Sequence, residues 1–497
     1  MGMTKKLFGA QLPTTHNKDG YSAYIRSLEE QYLQTLLTNT LGNTFYADQN
    51  QIMEEAHELH HEIAKQNPQF MAKALVFARN EGFMRMQPLF GLAILSLYRP
   101  DLFAAVFMQV VRIPSDLSDF LTILKSMGRG EGGRAVKRQV NRFLTNITEY
   151  WALKYNGRGR GYSLGDVIAT AHPKPIDLKQ QALFRYLRGH EVNKALLPQI
   201  EAVEKLKQAQ TEAEQIEWIH AGKLPYETVT SAIRPTKAIW EALLYQMPVF
   251  ALLRHLQALT RAGVFADSDH LDYAVSRLTD RHALQKTKIL PFQFARAFEQ
   301  VEHPVLRDAL REAVDLTFDN LPELGEKTAI FLDISGSMRG DYLQIGSVFA
   351  LALYKKTKGN SIFWLFDTNV EDAKPSRHDS ILSQAEKIRA RGGTDTGAPV
   401  RRLTREGKHV EQIIIITDEQ QNSGSPFYRD LLKYRSAVNP DVKAFIVDIA
   451  PFRHAMVPPQ DEKTFYIYGW SDTVLSYIAQ TIQGYDTMVE KVNALSL

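Results

Sequence analysis

Three segments in the last third of the chain carry carboxylate and hydroxyl groups whose types and spacing suit a metal ion. They read Asp-Ile-Ser-Gly-Ser at 333–337, Gly-Gly-Thr-Asp-Thr at 392–396 and Thr-Asp at 417–418. Oxygen donors without a nearby His or Cys are the ligands that a hard cation such as Mg²⁺ prefers. The first segment by itself is more often an Asx-turn or a helix N-cap, so the predicted magnesium site depends on all three segments meeting.

A parallel sheet would bring these segments together, because ligands of such sheets gather at the carboxyl ends of the strands. Four continuously apolar runs indicate strands buried on both faces, at 328–334, 361–366, 412–417 and 442–447. Helical patterns alternate with them, at 343–354, 380–389, 398–404 and 431–436. The alternation predicts a doubly wound α/β domain over residues 326–497.

The three oxygen-bearing loops, in this order along such a domain, resemble the von Willebrand factor A domain and its metal-ion-dependent adhesion site. The resemblance implies that Ser335, Ser337 and Thr394 are metal ligands. It also implies that Asp333 and Asp418 hold the ion directly or through water. One divalent cation, Mg²⁺, is therefore the expected cofactor, with one coordination position open to a partner's carboxylate or a phosphate.

The chain before this domain shows helical rather than alternating spacing of apolar residues, from about residue 21 to about residue 318. Clear helical segments are Met53–Ile63, Phe70–Glu81, Leu89–Leu97, Leu102–Val111, Trp240–Leu256 and Val305–Leu316. Many short helices in series are typical of stacked helical repeats or a large bundle. We therefore predict an all-α domain over residues 1–325.

Composition excludes several classes of protein. The 497 residues are 44% hydrophobic and 23% charged, which excludes a wholly disordered or collagen-like chain. Cys is absent, which excludes disulfides, thiolate nucleophiles, iron–sulfur clusters and Cys-ligated zinc. The sequence contains neither an apolar run of the ~18 residues that span a bilayer nor the apolar core of a signal peptide. We expect a soluble, cytoplasmic protein.

Positive charge is concentrated in one part of the chain. The net charge of the whole chain is only +3, whereas residues 125–188 carry thirteen Lys or Arg against four acids. Within this block, Arg134, Lys137, Arg138 and Arg142 fall on one face of a predicted helix, and Arg129 precedes it. A cationic helix face is most often simply solvated, but the absence of acids from this helix favours a polyanion site.

A second group of candidate polyanion contacts follows in the same block. Its members combine cationic side chains, an aromatic ring and a His: Lys154, Tyr155, Arg158, Arg160, His172 and Lys174. Arg binds phosphate bidentately and aromatic rings stack on unpaired bases. The alternatives are a mobile surface loop without a ligand and, for His172, a packing residue beside a helix.

The two halves together resemble the Ro autoantigen family of TROVE-domain RNA-binding proteins, and a bacterial member of it in particular. The resemblance rests on Lys-Tyr at 154–155 leading to His-Pro-Lys-Pro at 172–175, and on Trp-Glu-Ala-Leu-Leu-Tyr-Gln-Met-Pro at 240–248. Ala-Leu-Leu-Arg at 251–254 and Leu-Pro-Phe at 290–292 belong to it as well.

The resemblance implies a monomeric, closed ring of HEAT-like helix pairs whose ends the A domain ties together. It further implies binding of small structured Y RNAs on the outer basic surface, and of single-stranded 3′ ends of misfolded or immature RNAs in the central hole. Bacterial members act with exoribonucleases in RNA quality control and maturation. Family members are not themselves enzymes, so we expect no catalytic site here.

Two other functions remain open at this point. The metal loops alone would fit an adhesion module that grips a partner's carboxylate, although such a module leaves the basic block unexplained. A metal-dependent nuclease is a weaker alternative, since one ion without a neighbouring base or second metal is poorly equipped for phosphodiester hydrolysis.

Overall fold

The computed structural model describes residues 12–39, 49–130, 132–155, 162–286, 289, 291–319, 323–325, 327–358, 361–469, 478 and 487–497. The chain forms two compact units. The sheet unit comprises residues 1–87, 290–296 and 311–496, and the helical unit comprises residues 88–289 and 297–310 together with Leu497.

The nine strands of the described chain all lie in the sheet unit. They are β1 (Thr15–His16), β2 (Ser22–Ile25), β3 (Thr328–Asp333), β4 (Ile362–Phe366), β5 (Val370–Asp372), β6 (Gln412–Thr417), β7 (Lys443–Asp448), β8 (His454–Ala455) and β9 (Thr464–Tyr468). Six form the main sheet in the order β5-β4-β3-β6-β7-β9, parallel except for β5. Every residue of β3 and β6 is buried, as expected for inner strands of a parallel sheet.

Helices occupy most of the described chain before β3. They are α1 (Leu28–Thr38), α2 (Gln49–Gln66), α3 (Pro68–Asn80), α4 (Met86–Tyr98), α5 (Pro100–Val110), α6 (Pro114–Ser126), α7 (Gly133–Leu144), α8 (Glu149–Lys154), α9 (Leu164–Ala171), α10 (Leu178–Leu187), α11 (Pro198–Gln208), α12 (Glu212–Gly222), α13 (Tyr226–Ala232), α14 (Lys237–Leu244), α15 (Val249–Arg261), α16 (Ser268–Leu278), α17 (Arg281–Lys286), α18 (Pro291–Gln300) and α19 (Pro304–Thr317).

Five further helices alternate with or follow the strands of the main sheet. They are α20 (Asp341–Lys355), α21 (Ile381–Ala385), α22 (Ala398–Arg405), α23 (Phe427–Ala437) and α24 (Met488–Asn493). The predicted fold class, a helical repeat-like region followed by an α/β domain, is thus confirmed. The predicted segment Trp240–Leu256 is two helices, because Pro248 lacks the N–H that a continuous helix needs there.

The compact units divide the chain differently from the predicted boundary at residue 325, because the N-terminal residues pack with the C-terminal domain. β2 pairs antiparallel with β8, which joins two segments more than 400 residues apart. Arg26, directly after β2, is buried and forms ion pairs with Glu419 and, at 2.9 Å, with Asp448. Such contacts between chain ends carry no periodic signal, so the sequence pattern did not reveal them.

None of the helices in the described part of the chain is long and apolar enough to cross a membrane.

His60 provides a test of packing among the first helices. Its ring lies between the Tyr32 hydroxyl, 3.0 Å from Nδ1, and the Gln87 amide oxygen, 2.9 Å from Nε2. Both contacts suit the neutral ring, in which Nδ1 accepts and Nε2 donates. Burial lowers the pKa of His60 from 6.5 to about 4.

We expect the His60 environment to lose stability in acid. Between the unfolded pKa of 6.5 and the folded pKa of about 4, only the unfolded chain takes up a proton at this residue. His60 therefore withdraws about 3 kcal/mol from the free energy of unfolding as the pH falls through that window. The check is urea unfolding of wild type and His60→Gln from pH 7 to pH 4.5: the gap between them should shrink, and a constant gap would contradict the prediction.

Candidate metal centre and basic surface

Asp333 ends β3 at the carboxyl edge of the main sheet and is fully buried. Its Oδ1 accepts a hydrogen bond from the Ser335 amide at 2.8 Å, and its Oδ2 accepts one from the Thr417 hydroxyl at 2.6 Å. Burial raises the pKa of Asp333 to about 6, against the opposing effect of these hydrogen bonds. The Asx-turn considered as an alternative is therefore present. The carboxylate that forms it is the same buried Asp333 side chain that is a candidate metal ligand.

The two Ser side chains of the first loop face each other. Ser335 and Ser337 are buried, and their hydroxyl oxygens are 3.2 Å apart. Between them, Gly336 opens a short 3₁₀ turn and donates its amide to the Gly392 carbonyl at 3.0 Å. A Cβ on Gly336 would lie 3.3 Å from that same carbonyl, so the close approach of the two loops favours glycine.

The hydrogen bond between Gly336 and Gly392 holds the second loop, residues 392–396, against the first loop, residues 333–337. Thr394, two residues after Gly392, is buried, and its amide donates to the Asn422 side-chain oxygen at 2.8 Å. Asn422 in turn donates its own amide to the Thr394 carbonyl at 3.0 Å, which ties the second loop to the third. The structure therefore assembles the three predicted segments at one edge of the sheet.

Asp418 follows β6 and is the second buried carboxylate of this site. Its Oδ1 accepts from the Gln420 amide at 3.1 Å, whereas its buried Oδ2 has no hydrogen-bond partner among the described residues. Burial, and then the nearby charge of Asp333, raise the pKa of Asp418 to about 7. Two buried carboxylates without a counter-charge are costly, and a divalent cation between them would remove that cost.

The donor set fits a hard cation. The donors are two carboxylates and three hydroxyl groups. Within the described ranges, no cluster of three or more His, Cys, Asp or Glu side chains that could hold a metal occurs, so the hydroxyl groups are essential to this candidate site. The unpartnered oxygen of Asp418 points to the same ligand class.

Sequence reasoning missed Asp367 at the same edge. It follows β4 directly, is buried, and its carbonyl accepts the Asp395 amide at 3.0 Å. A Cβ on Gly392 would come within 2.9 Å of the Asp367 carboxylate, so the carboxylate packs against the second loop. The signal that identified Asp333, an Asp at the carboxyl end of an apolar run, is also present at Asp367 and could have found it.

In the helical unit, α7 has the amphipathic character that its sequence predicts. Arg134, Arg138 and Arg142 are exposed along one side. Lys137 is half-buried beside them. The opposite side packs into the unit through the buried residues Val136, Gln139, Val140, Phe143 and Leu144. Three Arg side chains thus remain accessible on a helix that contains no acidic residue.

Arg129, the predicted RNA contact that precedes α7, forms hydrogen bonds with other residues of the protein. Its guanidinium donates to the Ser96 hydroxyl at 2.6 Å and lies 3.5 Å from the Gly132 carbonyl. Burial also lowers its pKa. These contacts stabilise the turn that precedes α7. Arg129 therefore has a structural role, and its predicted contact with RNA stays a prediction.

Lys154 and Tyr155 lie at the end of α8. The Lys154 ammonium forms an ion pair with Glu227 at 3.4 Å and lies 5.6 Å from the centre of the Tyr155 ring. Burial lowers the pKa of Lys154, but the Glu227 carboxylate, together with the neighbouring Tyr155 and Tyr150, outweighs burial, so the pKa is raised overall. Lys154 is therefore charged but already neutralised by a partner.

Of the other members of the second group, the structure describes His172 and Lys174, which follow α9. His172 ends α9 in the left-handed region at φ 53°, is exposed, and has Nδ1 3.2 Å from the Thr170 carbonyl. Lys174 is exposed two residues later. Arg158 and Arg160 lie outside the described residues. His172 is thus a solvent-facing helix cap rather than the buried packing residue considered as its alternative.

Comparison with known proteins gives three findings. The TROVE domain model matches residues 223–315, which contain the motifs at 240–248, 251–254 and 290–292. The RNA-binding protein RO60 of Deinococcus radiodurans is 26% identical over 494 residues, covering 91% of this chain and 92% of the relative. The RNA-binding protein RO60 of Caenorhabditis elegans is 24% identical over 467 residues, covering 76% of this chain and 71% of the relative.

A solved structure shares the fold. The crystal structure of the Ro (RSR) protein of Deinococcus radiodurans matches with a TM-score of 0.69 and 22% identity, over 92% of this chain and all of that one. The matching TROVE domain model and the two relatives confirm the resemblance to the Ro family that the sequence motifs indicated.

Proposed function

We propose that this chain, which carries a TROVE domain and is similar along most of its length to RNA-binding proteins of the Ro family, binds RNA through the basic face of α7. The observation that carries the proposal is the exposure of Arg134, Arg138 and Arg142 along one side of this helix. Eight residues of α-helix rise by about 12 Å, so the three side chains can reach several phosphates along one strand.

The chemistry of these side chains favours a phosphate backbone. Guanidinium groups stay charged and donate paired hydrogen bonds that match phosphate oxygens. Contacts of this kind hold a nucleic acid without reading its sequence. The face would therefore bind structured RNA broadly, and the choice of RNA would depend on other residues.

The finer assignments follow from the family resemblance. We propose small structured Y-type RNA and single-stranded 3′ ends of misfolded or immature RNA as the ligands, and RNA quality control with an exoribonuclease as the process. His172 and Lys174, exposed beyond α9, are candidate contacts for the single-stranded ends. The chain itself would act without catalysis, in the cytoplasm, and both points stay predictions.

The affinity for a structured RNA should fall steeply with salt. Contact with about six phosphates gives a slope of log K against log salt near −4 to −5, because each neutralised phosphate releases a counterion. A filter-binding titration between 50 and 300 mM KCl measures the slope. An affinity that does not change with salt would contradict binding through phosphate contacts. Cleavage of labelled RNA on incubation with Mg²⁺ and pure protein would contradict the separate prediction that the chain acts without catalysis.

We further propose that the site of Asp333, Ser335, Ser337, Thr394 and Asp418 holds one Mg²⁺. When bound, the ion supplies positive charge that stabilises the two carboxylates and an open position for a partner's carboxylate or a phosphate. The buried Oδ2 of Asp418, which has no hydrogen-bond partner among the described residues, favours a cation at this site. The open position on that ion would then serve a second function, recruitment of a protein partner. RNA binding at α7 and recruitment at the metal site would then be separable by mutation.

Mg²⁺ should raise the melting temperature of the wild-type chain, and Asp418→Asn should abolish that response. At 100 times the dissociation constant, a ligand specific for the folded state adds about 2.7 kcal/mol to the free energy of unfolding. Without Mg²⁺ the variant should unfold no earlier than wild type, since it removes one of two repelling carboxylates. Differential scanning fluorimetry with and without MgCl₂ measures both effects.

Asp441→Asn is the matched control for this experiment. Asp441 is exposed and pairs with Lys463 at 2.8 Å, away from the three metal-site segments along the chain. Its variant should keep the full response to Mg²⁺. A wild-type chain whose melting temperature does not respond to Mg²⁺ would refute the metal site.

A further inference from the structure

A cavity of about 390 Å³ opens in the helical unit between α8, α10, α11 and α13. That volume lies within the range of small-ligand sites. Its walls combine apolar side chains such as Leu187 and Val203 with a few polar groups, Lys154, Glu227 and Thr228 among them. Apolar walls with a small number of convergent polar groups are typical of small-molecule sites.

The Thr228 hydroxyl indicates that the cavity is built for a ligand. The residue is only 7% exposed, it lines the cavity, and its Oγ1 has no hydrogen-bond partner among the described residues. A buried hydroxyl without a partner is costly, and native proteins keep few of them. A ligand in the cavity that forms a hydrogen bond with this hydroxyl would remove the cost.

The Lys154–Glu227 pair argues against a phosphate as that ligand. The two side chains are 19% and 29% exposed, and the ammonium and the carboxylate are 3.4 Å apart. The Glu227 carboxylate already neutralises Lys154 and would repel an anion. Lys207, which also lines the cavity, is likewise paired, with the Glu204 carboxylate at 3.5 Å. The pair instead presents a hydrogen-bond donor beside an acceptor of two oxygens, which matches the polar edge of a nucleobase.

We propose that this cavity binds a guanine base, an inference that rests on the proposed RNA binding and names the nucleotide recognised within it. Guanine carries O6 next to two donors, N1–H and N2–H₂. Lys154 would donate to O6 and the Glu227 carboxylate would accept from both donors. Adenine, cytosine and uracil do not offer an acceptor beside two adjacent donors on one edge.

The remaining walls suit the ring system of the base. Tyr186, whose hydroxyl lies 3.4 Å from Glu204 Oε1, contributes an aromatic side chain to the cavity. Aromatic and apolar walls accommodate the ring of an unpaired base in single-stranded RNA. Thr228 would complete the site with a hydrogen bond to the base.

The test compares uridine octamers with and without one central guanosine, by fluorescence anisotropy on the full chain. We expect the guanosine to tighten binding at least tenfold, and an adenosine or cytidine in its place to have less than a threefold effect. Guanosine monophosphate should bind in calorimetry more tightly than the adenosine, cytidine and uridine monophosphates. Equal affinities among these ligands would overturn the proposal.

Two variants address the polar groups. Glu227→Gln, which replaces an acceptor oxygen by a donor, should lose the guanosine preference. Thr228→Val should weaken guanosine binding severalfold without lowering the melting temperature, because the hydroxyl it removes has no partner in the protein. Glu201→Gln is the control, since Glu201 forms an exposed pair with Lys205 and does not line the cavity. Variants that keep the guanosine preference would refute the assignment.

The outcomes separate this inference from the proposed function. If all octamers bind with equal affinity, RNA binding stands and the guanine site falls. If no octamer binds but structured RNA does, the proposed function stands, and calorimetry with the free monophosphates still decides whether the cavity recognises guanine. If neither the octamers nor structured RNA bind, the proposed function falls.

Discussion

Replacing Arg134, Arg138 and Arg142 together by Ala should weaken the binding of structured RNA about 30- to 100-fold near physiological salt. All three side chains are exposed on α7, so their loss removes phosphate contacts without disturbing the buried side of the helix. The salt dependence should fall as well, by about one unit of slope for each lost phosphate contact. Filter binding at several KCl concentrations measures both quantities.

The control is a triple variant with the same change in charge elsewhere in the helical unit. Lys205, Lys237 and Arg261 are exposed and lie outside the basic block, so their replacement by Ala should change RNA affinity little. Both triple variants should melt close to wild type. Equal losses of affinity in the two would show that only net charge matters and would remove the α7 face from the proposal.

Arg26→Met should destabilise the sheet unit by about 3–5 kcal/mol. The side chain of Arg26 is 0% exposed and forms ion pairs with two buried carboxylates, those of Glu419 and Asp448. Its guanidinium also lies 4.7 Å from the centre of the Tyr466 ring. Met keeps most of the volume but leaves both carboxylates without their counter-charge, and an unpaired buried charge costs far more than a lost surface contact.

Urea unfolding of the variant, followed by tryptophan fluorescence and circular dichroism, measures this loss. Arg99→Met is the matched control, because Arg99 forms an exposed pair with Asp101 at 2.6 Å and its loss should leave the unfolding midpoint near wild type. If Arg26→Met unfolds at the same urea concentration as Arg99→Met, the buried network does not hold the N-terminal residues to the sheet.

Local sequence patterns were sufficient for the main elements of the fold. The strand at 412–417 is buried along its whole length, and its sequence, Gln-Ile-Ile-Ile-Ile-Thr, predicts that without any partner. Asp333 could be assigned to the sheet edge because it is the charged residue at the carboxyl end of such an apolar run. The buried and exposed sides of α7 likewise follow from helical periodicity alone.

Tertiary structure decided which charged side chains remain available. The sequence presents Arg129 and Lys154 as cations of the basic block, like Arg134, yet Arg129 contacts Ser96 and Lys154 pairs with Glu227. Their partners lie 33 and 73 residues away in the chain, beyond the reach of any helical or strand period. Packing alone determines such neighbours.

The cavity beside Lys154 and the pairing of β2 with β8 also depend on contacts between segments that are distant in the chain. Thr228 lines a cavity enclosed by four helices that are separated in sequence, and Arg26, which pairs with Glu419, directly follows β2, the strand that pairs with β8. The sequence by itself determined which residues form strands, helices and the oxygen-bearing loops, since these depend on local spacing and chemistry. The tertiary structure alone decided which polar groups are paired, which are buried without a partner and which face solvent, since these depend on contacts between distant segments.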